Sequence, residues 1–191
     1  MDADGNGTGE YIVTQVNKTS EATLRETGKS AIPDLYGGLN SAFSAFGFDL
    51  SVATAFQVGG YVWDSFYQNL MNPGDVGSNM HKDMYQRWNP SNTETSVPRL
   101  CYQDQDANDN CDRWLTSASY FSLRNVTLGY TLPSNLTKKL SIQNARVYMS
   151  GDNLWLKSAR KGLDPRQSFS GSTGYVYSAL ATYSVGVNLT F

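Results

Sequence analysis

The sequence predicts an all-β fold in which antiparallel strands form part of a large transmembrane β-barrel with long extracellular loops. Two patterns predict this fold. Apolar and polar residues alternate over stretches longer than most strands of soluble proteins, which usually have about 5–6 residues. Short and long connections also follow each other along the chain. This asymmetry is typical of bacterial outer-membrane barrels, which have short periplasmic turns and long extracellular loops.

The composition excludes several other classes. The chain has 191 residues, of which 40 % are apolar and 17 % are charged, a length that suits one domain rather than several. No stretch approaches the roughly 18 consecutive apolar residues of a membrane helix, and the mean hydropathy is −0.42. A helical membrane protein is therefore excluded. The net charge of −2 offers no basic surface for a phosphate backbone, so nucleic acid is not an expected partner.

Only two residues, Phe46 and Gly47, separate the first two predicted strands. Residues 39–45 form a short, weak alternation. From Phe48 to Val58 the apolar residues occupy even positions and small or polar residues occupy odd positions, with Thr54 as the exception. A period of two places the two sets on opposite faces of a strand. The sequence therefore predicts two neighbouring strands joined by a tight turn.

The third and fourth predicted strands are also joined by a short connection, residues 133–141. In residues 125–132 apolar side chains at even positions alternate with polar side chains and one glycine. Residues 144–156 alternate less cleanly, and Gly151 is a candidate for a β-bulge at which the faces exchange.

The strongest alternation closes the chain. Every odd position from Tyr177 to Phe191 is apolar, and Leu180 is the only large apolar residue at an even position. The sequence thus predicts about five barrel strands within residues 35–191. Residues 1–34 are predicted to be an extracellular loop segment, and residues 65–118 and 157–175 to be long loops.

Aromatic residues give an independent check on which ends of the strands lie at the extracellular side and which at the periplasmic side. If Phe191 lies at the periplasmic side, every long loop is extracellular. Aromatic side chains then mark both ends of the strands, as in barrel proteins, although a soluble β protein would place such rings in its core. We expect Trp63, Tyr120, Trp155 and Tyr177 at the outer ends and Phe48, Tyr130 and Phe191 at the inner ends.

Five strands cannot close a barrel by themselves, because even small membrane barrels need about eight. Each open edge of roughly 10 residues would leave about five N–H and C=O pairs unsatisfied, at several kcal/mol per group. We therefore expect this chain to be a fragment, or one piece of a barrel that another chain completes.

Several segments in series resemble one known family. They lead us to identify the chain with the C-terminal barrel portion of the SusC/RagA-type TonB-dependent transporters of the outer membrane. The segments are DADGNG (2–7), GKSAIPDLYGGLNSAF (28–43), GFDLSV (47–52), RWNPSNTETSVPRL (87–100), SLRNVTLGYTLP (122–133), ARVYMSGDNLW (145–155), KGLDP (161–165) and TYSVGVNLTF (182–191).

The resemblance implies a closed barrel of about 22 strands around a plugged lumen. It implies a nutrient importer for glycans or peptides in the outer membrane of a Gram-negative, Bacteroidetes-type bacterium. The implied partners are the remaining strands and plug, a SusD-type surface lipoprotein, the lipid bilayer, and TonB through an N-terminal part that this chain lacks. The alternative is a secreted β-sandwich module that binds glycans through loop aromatics.

Two polar segments are candidates for cation binding. Asp2, Asp4 and Asn6 match the opening of a calcium loop, but the twelfth position is Val13 instead of Glu, which excludes a complete EF-hand. A run of Asp and Asn side chains over residues 104–110 could likewise hold Ca²⁺. Turn geometry explains both segments equally, because Asp, Asn and Gly are typical turn residues. No other cofactor is expected.

The two cysteines, Cys101 and Cys111, suit one disulfide in an oxidising compartment better than a metal site. Such a bridge would stabilise the long loop by about 3 kcal/mol, because it lowers the entropy of the open loop.

Aromatic and basic residues in or beside the long loop are candidates for contact with a substrate or a partner protein. They are Tyr67, Tyr85, Arg87, Trp88, Arg99, Tyr102 and Trp114. Packing of the loop against itself is the equal alternative.

No catalytic group is predicted. The single histidine, His81, has no companion at the spacing of a catalytic motif, so the chain is not expected to be an enzyme.

The closing strand is the last candidate site. An apolar alternation that ends on an aromatic residue resembles the signal by which barrel-insertion machinery recognises its clients. The residues are Tyr183, Val185, Val187, Leu189 and Phe191.

Overall fold

The computed structural model describes residues 18–22, 24, 26–72, 77–100, 108–137, 141–167, 170–174 and 177–191. Internal contacts divide the chain into two compact units. The first unit is Met1–Thr27 with Asn69–Asn110, and the second unit is Gly28–Gln68 with Cys111–Phe191.

The second unit contains a five-stranded sheet, which we call the main sheet, with the order β1-β2-β5-β6-β8. All neighbouring pairs are antiparallel, which confirms the predicted all-β architecture. Within the described residues, β1 and β8 each pair on one side only. The strands are Leu35–Ala45 (β1), Phe48–Val58 (β2), Tyr120–Thr131 (β5), Asn144–Ser158 (β6) and Thr182–Thr190 (β8).

A smaller three-stranded sheet has the order β4-β3-β7. Tyr61–Asp64 (β3) runs antiparallel to Leu115–Ser117 (β4) and parallel to Ser172–Thr173 (β7). Such short strands give no readable period, so the sequence did not predict them. Val62, Ala118 and Leu163 form a buried apolar cluster beside this sheet.

Short helices complete the described structure. They are the α-helices Ser65–Leu70 (α1) and Ser134–Thr137 (α2), and the 3-10 helices Thr19–Glu21, Lys82–Gln86, Asp112–Trp114 and Pro165–Gln167. None of the described helices combines the length and the apolarity needed to span a bilayer.

The described residues of the first unit form turns and short 3-10 helices. Met71 and Met84 are buried there, and Met84 belongs to the 3-10 helix Lys82–Gln86. The Trp88 N–H donates to the Val97 carbonyl over 2.9 Å, and Asn89 pairs with Asn92.

The main sheet has one end with short connections and one end with long connections. Phe46 and Gly47 join β1 to β2 with φ of 54° and 83°, which matches a hairpin turn that has positive φ at both central positions. Residues 132–143 join β5 to β6 at the same end, while residues 59–119 and 159–181 connect strands at the other end. We call these the short-connection end and the long-connection end.

Register places the apolar side chains of the main sheet in rows on one side. Phe48 lies opposite Tyr130, Tyr130 opposite Val147, and Val147 opposite Val187. The apolar face defined in this way includes Leu39, Phe43, Phe48, Leu50, Val52, Phe56, Phe121, Leu123, Val126, Leu128, Tyr130, Val147, Met149, Trp155, Tyr183, Val185, Val187 and Leu189.

Side chains on this face are not packed into an interior. Val185 is 74 % exposed, Val187 58 % and Leu189 49 %. A self-contained sandwich would bury one face of such a sheet against a second sheet. The described residues provide no such cover for the apolar face.

The opposite side of the main sheet, the polar face, is lined mostly by small and polar side chains. It includes Asn40, Asp49, Ser51, Asn125, Thr127, Gly129, Tyr148, Ser150, Asp152, Ser184, Gly186 and Asn188.

The last strand is shorter than its alternation predicted, because β8 begins at Thr182 and not at Tyr177. Its pairing with β6 stops at Asp152, one residue before Asn153, whose φ is 51°. The preceding backbone has other partners. The Gln167 side chain donates to the Tyr177 carbonyl over 2.6 Å, and the Ala179 N–H hydrogen-bonds to Asp164.

The bulge predicted at Gly151 lies further along β6. Asn153 and Leu154 stand opposite the single residue Arg124 of β5, between the pairs Asp152–Asn125 and Trp155–Leu123. Asparagine tolerates positive φ better than most residues, so it can take the position for which glycine was expected.

Aromatic side chains mark both ends of the sheet, with two corrections. Phe48 and Tyr130 contact each other with ring centroids 4.5 Å apart at the short-connection end. Phe121 and Trp155 contact at 6.1 Å near the other end. Trp63 and Tyr177, however, lie outside the main sheet. Tyr120 is the first residue of β5, at the long-connection end as predicted, in the row of Gln57 on the polar face.

Candidate functional site

A charge pair crosses the polar face near the short-connection end. Arg146 on β6 donates to Asp49 on β2 through Nε at 2.8 Å and through a terminal nitrogen at 2.5 Å. The pair spans the intervening strand β5 above Gly129, where an added Cβ would collide with both side chains. Glycine at this position therefore makes room for the pair.

Tyr148 continues this arrangement toward the edge of the sheet. The Arg146 guanidinium lies 5.1 Å from the centre of its ring. Tyr148 is paired with Gly186 of β8, and an added Cβ at Gly186 would collide with the ring. Two glycines thus allow a flat layer of charged and aromatic groups on the polar face.

Asp64 organises the long-connection end. Its side chain is 1 % exposed and accepts hydrogen bonds from Arg160 Nε at 2.9 Å and from the Tyr67 N–H at 3.1 Å. The Thr173 hydroxyl donates over 3.3 Å to Oδ1, the same oxygen that accepts from Tyr67, while Arg160 donates to Oδ2. One carboxylate therefore joins β3, the start of α1, β7 and the segment after β6.

Asp164 holds a second cluster of this kind. It accepts from Arg166 Nε at 2.8 Å and from the Arg166 backbone N–H at 3.1 Å. Burial would raise the pKa of Asp164, but the hydrogen bonds from Arg166 outweigh burial and hold the pKa below its ordinary value. The same pairing raises the pKa of Arg166. Both groups remain charged near neutral pH.

A cavity of about 510 Å³ lies between these two clusters. Asp64, Arg160 and Asp164 line it together with the apolar side chains of Phe66, Leu163 and Tyr177. Because its carboxylates are paired with arginines, the cavity combines apolar surface with hydrogen-bonding groups and little net charge.

The structure brings together two of the predicted contact residues. The Tyr67 and Trp114 rings are 6.1 Å apart in an edge contact, and the Arg160 guanidinium lies 4.5 Å from the centre of the Tyr67 ring. Trp114 is only 2 % exposed, so its side chain is packed in the interior and presents no contact surface.

The other predicted contact residues lie in the first unit. Tyr85 is 82 % exposed and Trp88 is 43 % exposed, whereas Arg87 donates to the Met84 carbonyl and is half-buried. Arg99 is exposed. Tyr102 lies outside the described residues. A contact role for these side chains stays a prediction.

The predicted cation sites receive no structural support. Asp2, Asp4 and Asn6 lie outside the described residues, and the described part of the chain has no group of three His, Cys, Asp or Glu side chains placed to hold a metal ion. Asp109 accepts hydrogen bonds from the Thr19 hydroxyl at 2.5 Å and from the Asn110 N–H. These bonds lower its pKa.

The predicted disulfide is not supported either. Cys111 is exposed and carries a free thiol, and Cys101 lies outside the described residues.

Sequence reasoning missed the charged pairs because their members are far apart along the chain. Asp49 and Arg146 are separated by 97 positions, and Asp64 and Arg160 by 96. The KGLDP segment was a partial signal, since Arg160 directly precedes it and Asp164 is part of it.

Comparisons with known proteins agree on one kind of relative. The chain is 27 % identical over 201 aligned positions to TonB-dependent receptor P3 of Formosa agariphila, covering 100 % of this chain and 18 % of that protein. It is 26 % identical to TonB-dependent receptor P26 of the same organism, covering 85 % of this chain and 17 % of that protein. The chain thus spans less than a fifth of the length of these relatives. No protein-family model matches it.

Solved structures show the same likeness in three dimensions. The RagAB peptide transporter superimposes with a TM-score of 0.73 and 30 % identity, over 86 % of this chain and 18 % of that one. The RagAB peptide importer in its closed-closed state superimposes with a TM-score of 0.72 and 29 % sequence identity, over 100 % of this chain and 20 % of the importer chain. The resemblance to a part of a SusC/RagA-type TonB-dependent transporter is confirmed.

Proposed function

We propose that this chain, which is similar in sequence and fold to SusC/RagA-type TonB-dependent transporters, forms part of the barrel wall of an outer-membrane nutrient importer. The apolar face of the main sheet contacts hydrocarbon, and the polar face lines the lumen. The observation that carries this proposal is the two-faced main sheet. Its apolar side chains are exposed in rows, as expected of a barrel wall whose solvent on that side is lipid.

The edges of the main sheet support the same proposal. β1 and β8 have one hydrogen-bonding partner strand each among the described residues. Unpaired strand edges are not tolerated in hydrocarbon, because each backbone group left without a partner costs several kcal/mol. Further strands of the complete importer would pair with both edges and close the barrel.

The cargo follows from the relatives by analogy. The solved neighbours are a peptide importer, which supports peptides, while glycans are the other class of cargo. In this proposal a SusD-type surface lipoprotein captures the nutrient at the extracellular side, and TonB drives its release through the plug. The cell is a Gram-negative, Bacteroidetes-type bacterium, in line with the Formosa relatives.

Three further roles belong to the proposal. The exposed aromatic and basic residues of the long loops contact the cargo or the lipoprotein. Residues 1–34 form an extracellular loop segment. The apolar alternation from Tyr183 to Phe191 is read by the barrel-insertion machinery during assembly. We infer no catalytic role, since the relatives are receptors and transporters.

The secreted β-sandwich alternative is not favoured. It requires a second sheet over one face of the main sheet, whereas Val185, Val187 and Leu189 are exposed, and the relatives are transport proteins.

Uptake by intact cells tests the import function. Cells that lack the gene for the full-length protein are compared with complemented cells, using a fluorescent oligopeptide mixture and a fluorescent oligosaccharide mixture. We expect gene-dependent accumulation of at least one mixture, which stops when the proton gradient that energises TonB is collapsed. Equal accumulation of both mixtures with and without the gene would contradict the proposal.

A further inference from the structure

A second cavity, of about 710 Å³, lies at the long-connection end of the main sheet. Three tyrosines, Tyr36, Tyr61 and Tyr120, line it together with two arginines, Arg124 and Arg166. All of these residues belong to the second compact unit. The cavity therefore combines three aromatic rings with guanidinium groups on one continuous surface.

The main sheet positions two of the rings. Tyr36 on β1 is paired with Gln57 on β2, and Gln57 is paired with Tyr120 on β5, so the three side chains form one row on the polar face. Tyr61 begins β3, directly after the two glycines that follow β2. Tyr36 is 76 % exposed, and Tyr61 is 37 % exposed. The Tyr36 ring is therefore accessible to a ligand, whereas the Tyr61 ring is accessible only in part, because the Lys29 ammonium lies 4.9 Å from its centre.

A β-bulge places Arg124 in this cavity. On β5, Asn125 pairs with Ala53 and Leu123 pairs with Thr54, so Arg124 is one extra residue between two consecutive pairs. Bulges redirect side chains, and they are common beside binding sites. Here the bulge leaves Arg124 among Tyr120, Gln57 and Ala55, which also line the cavity.

The charge of the cavity is positive. Arg166 is neutralised by Asp164, to which it donates through two side-chain nitrogens. Arg124 forms no side-chain hydrogen bond or ion pair with any described residue, and the described residues that line the cavity include no Asp or Glu. One guanidinium thus remains for a ligand.

We propose that this cavity is a subsite for a carboxylate on the imported oligomer, an inference that rests on the proposed function. Arg124 binds the carboxylate, because a guanidinium forms two parallel charge-assisted hydrogen bonds with that group. Tyr36 and Tyr120 pack against the adjoining units of the oligomer through their ring faces, while Tyr61, whose ring is covered on one face by the Lys29 ammonium, borders the subsite. The carboxylate belongs either to the C-terminus of a short peptide or to an acidic sugar unit.

Binding to the purified full-length protein in detergent tests this subsite. Four probes are compared by fluorescence anisotropy. They are a short labelled peptide with a free C-terminus, the same peptide amidated, an oligouronate, and its neutral counterpart. The variants are Arg124→Gln, Arg124→Lys and, as the matched control, Lys157→Gln. Lys157 is exposed and pairs with Phe121, on the opposite side of the same sheet.

We expect Arg124→Gln to weaken binding of one free-carboxylate probe about tenfold, the size of one charge-assisted hydrogen bond, because the Gln amide can still donate one of the two hydrogen bonds. Its uncharged counterpart should bind unchanged, which shows that the variant is folded. Arg124→Lys should restore part of the affinity, and Lys157→Gln should have no effect. If Arg124→Gln loses affinity only for the free peptide, the bound carboxylate is a peptide C-terminus. If the variant loses affinity only for the oligouronate, the bound carboxylate belongs to an acidic sugar.

Two results would overturn the subsite. One is equal binding of charged and uncharged probes by the wild-type protein, and the other is unchanged binding of both carboxylate probes by Arg124→Gln. Uptake by intact cells distinguishes these results from a failure of the import function. If wild-type cells still accumulate a probe in a gene-dependent manner, only the subsite is wrong.

Discussion

At the scale of single residues, the decisive features are arginine–carboxylate pairs, two of which join residues almost 100 positions apart along the chain. Asp64 is the clearest case, because it is almost completely buried and receives hydrogen bonds from three separate segments. Removing one partner of a buried ion pair leaves the other charge without compensation, which costs far more than the loss of an exposed pair. We expect this carboxylate to hold the loops of the long-connection end together.

Replacing Asp64 tests that role. Asp64→Asn keeps the size of the side chain but leaves Arg160 facing a neutral amide. We expect local opening to become easier by about 3 kcal/mol, which corresponds to roughly a 100-fold larger open population. The measurement is the rate at which protease added outside intact cells cleaves the full-length protein.

The matched control is Asp112→Asn, because Asp112 is exposed and forms no salt bridge with a described residue. This variant should be cleaved at the wild-type rate. Cleavage of Asp64→Asn at that same rate would show that the buried pair does not secure the loops.

At the scale of elements, alternation along a strand defines two environments one residue apart. Ser184 is paired with Ser150 on the polar face, and Val185 is paired with Met149 on the apolar face. In a membrane barrel the two positions differ sharply, since one side chain meets water and the other meets lipid.

Arginine placed at these adjacent positions of β8 should therefore have opposite outcomes. Val185→Arg puts a charge among lipid tails, at about 2–4 kcal/mol near the midplane, and should reduce the amount of full-length protein in the outer membrane. Ser184→Arg should leave that amount near the wild-type level. Immunoblots of purified outer membranes measure both variants, and an equal decrease for the two would argue against the assignment of the faces.

At the scale of the whole molecule, the main sheet is open among the residues that the structure describes. A five-stranded sheet whose apolar face has no cover and whose two edge strands have one partner each within those residues is not a stable arrangement in water. The chain matches less than a fifth of the length of the TonB-dependent receptors P3 and P26, which is consistent with a sheet that further strands complete.

The isolated 191-residue chain should accordingly fail to behave as a soluble domain. Expressed alone in the cytoplasm without detergent, it is expected to aggregate through its apolar face and its edge strands. Size-exclusion chromatography of the soluble fraction is the measurement. A monodisperse monomer without detergent would instead favour the sandwich alternative.

Much of the fold could be predicted because the period-two signal is local. The residues of β2, β5 and β6 carry their alternation regardless of what pairs with them, and the two-residue turn at Phe46 and Gly47 places β1 beside β2. Local reasoning failed where pairing partners decide the outcome. Tyr177 and Ala179, at the start of the β8 alternation, form hydrogen bonds with side chains of another segment, and the bulge of β6 fell at Asn153 and Leu154.

The sequence by itself determined that the chain has a lipid-compatible face and a polar face, because side-chain alternation needs no knowledge of neighbouring strands. It also determined the family resemblance through segments in series. Only the tertiary structure decided which charges meet and where Arg124 lies. Register across strands brings together residues almost 100 positions apart, and no local pattern encodes that distance.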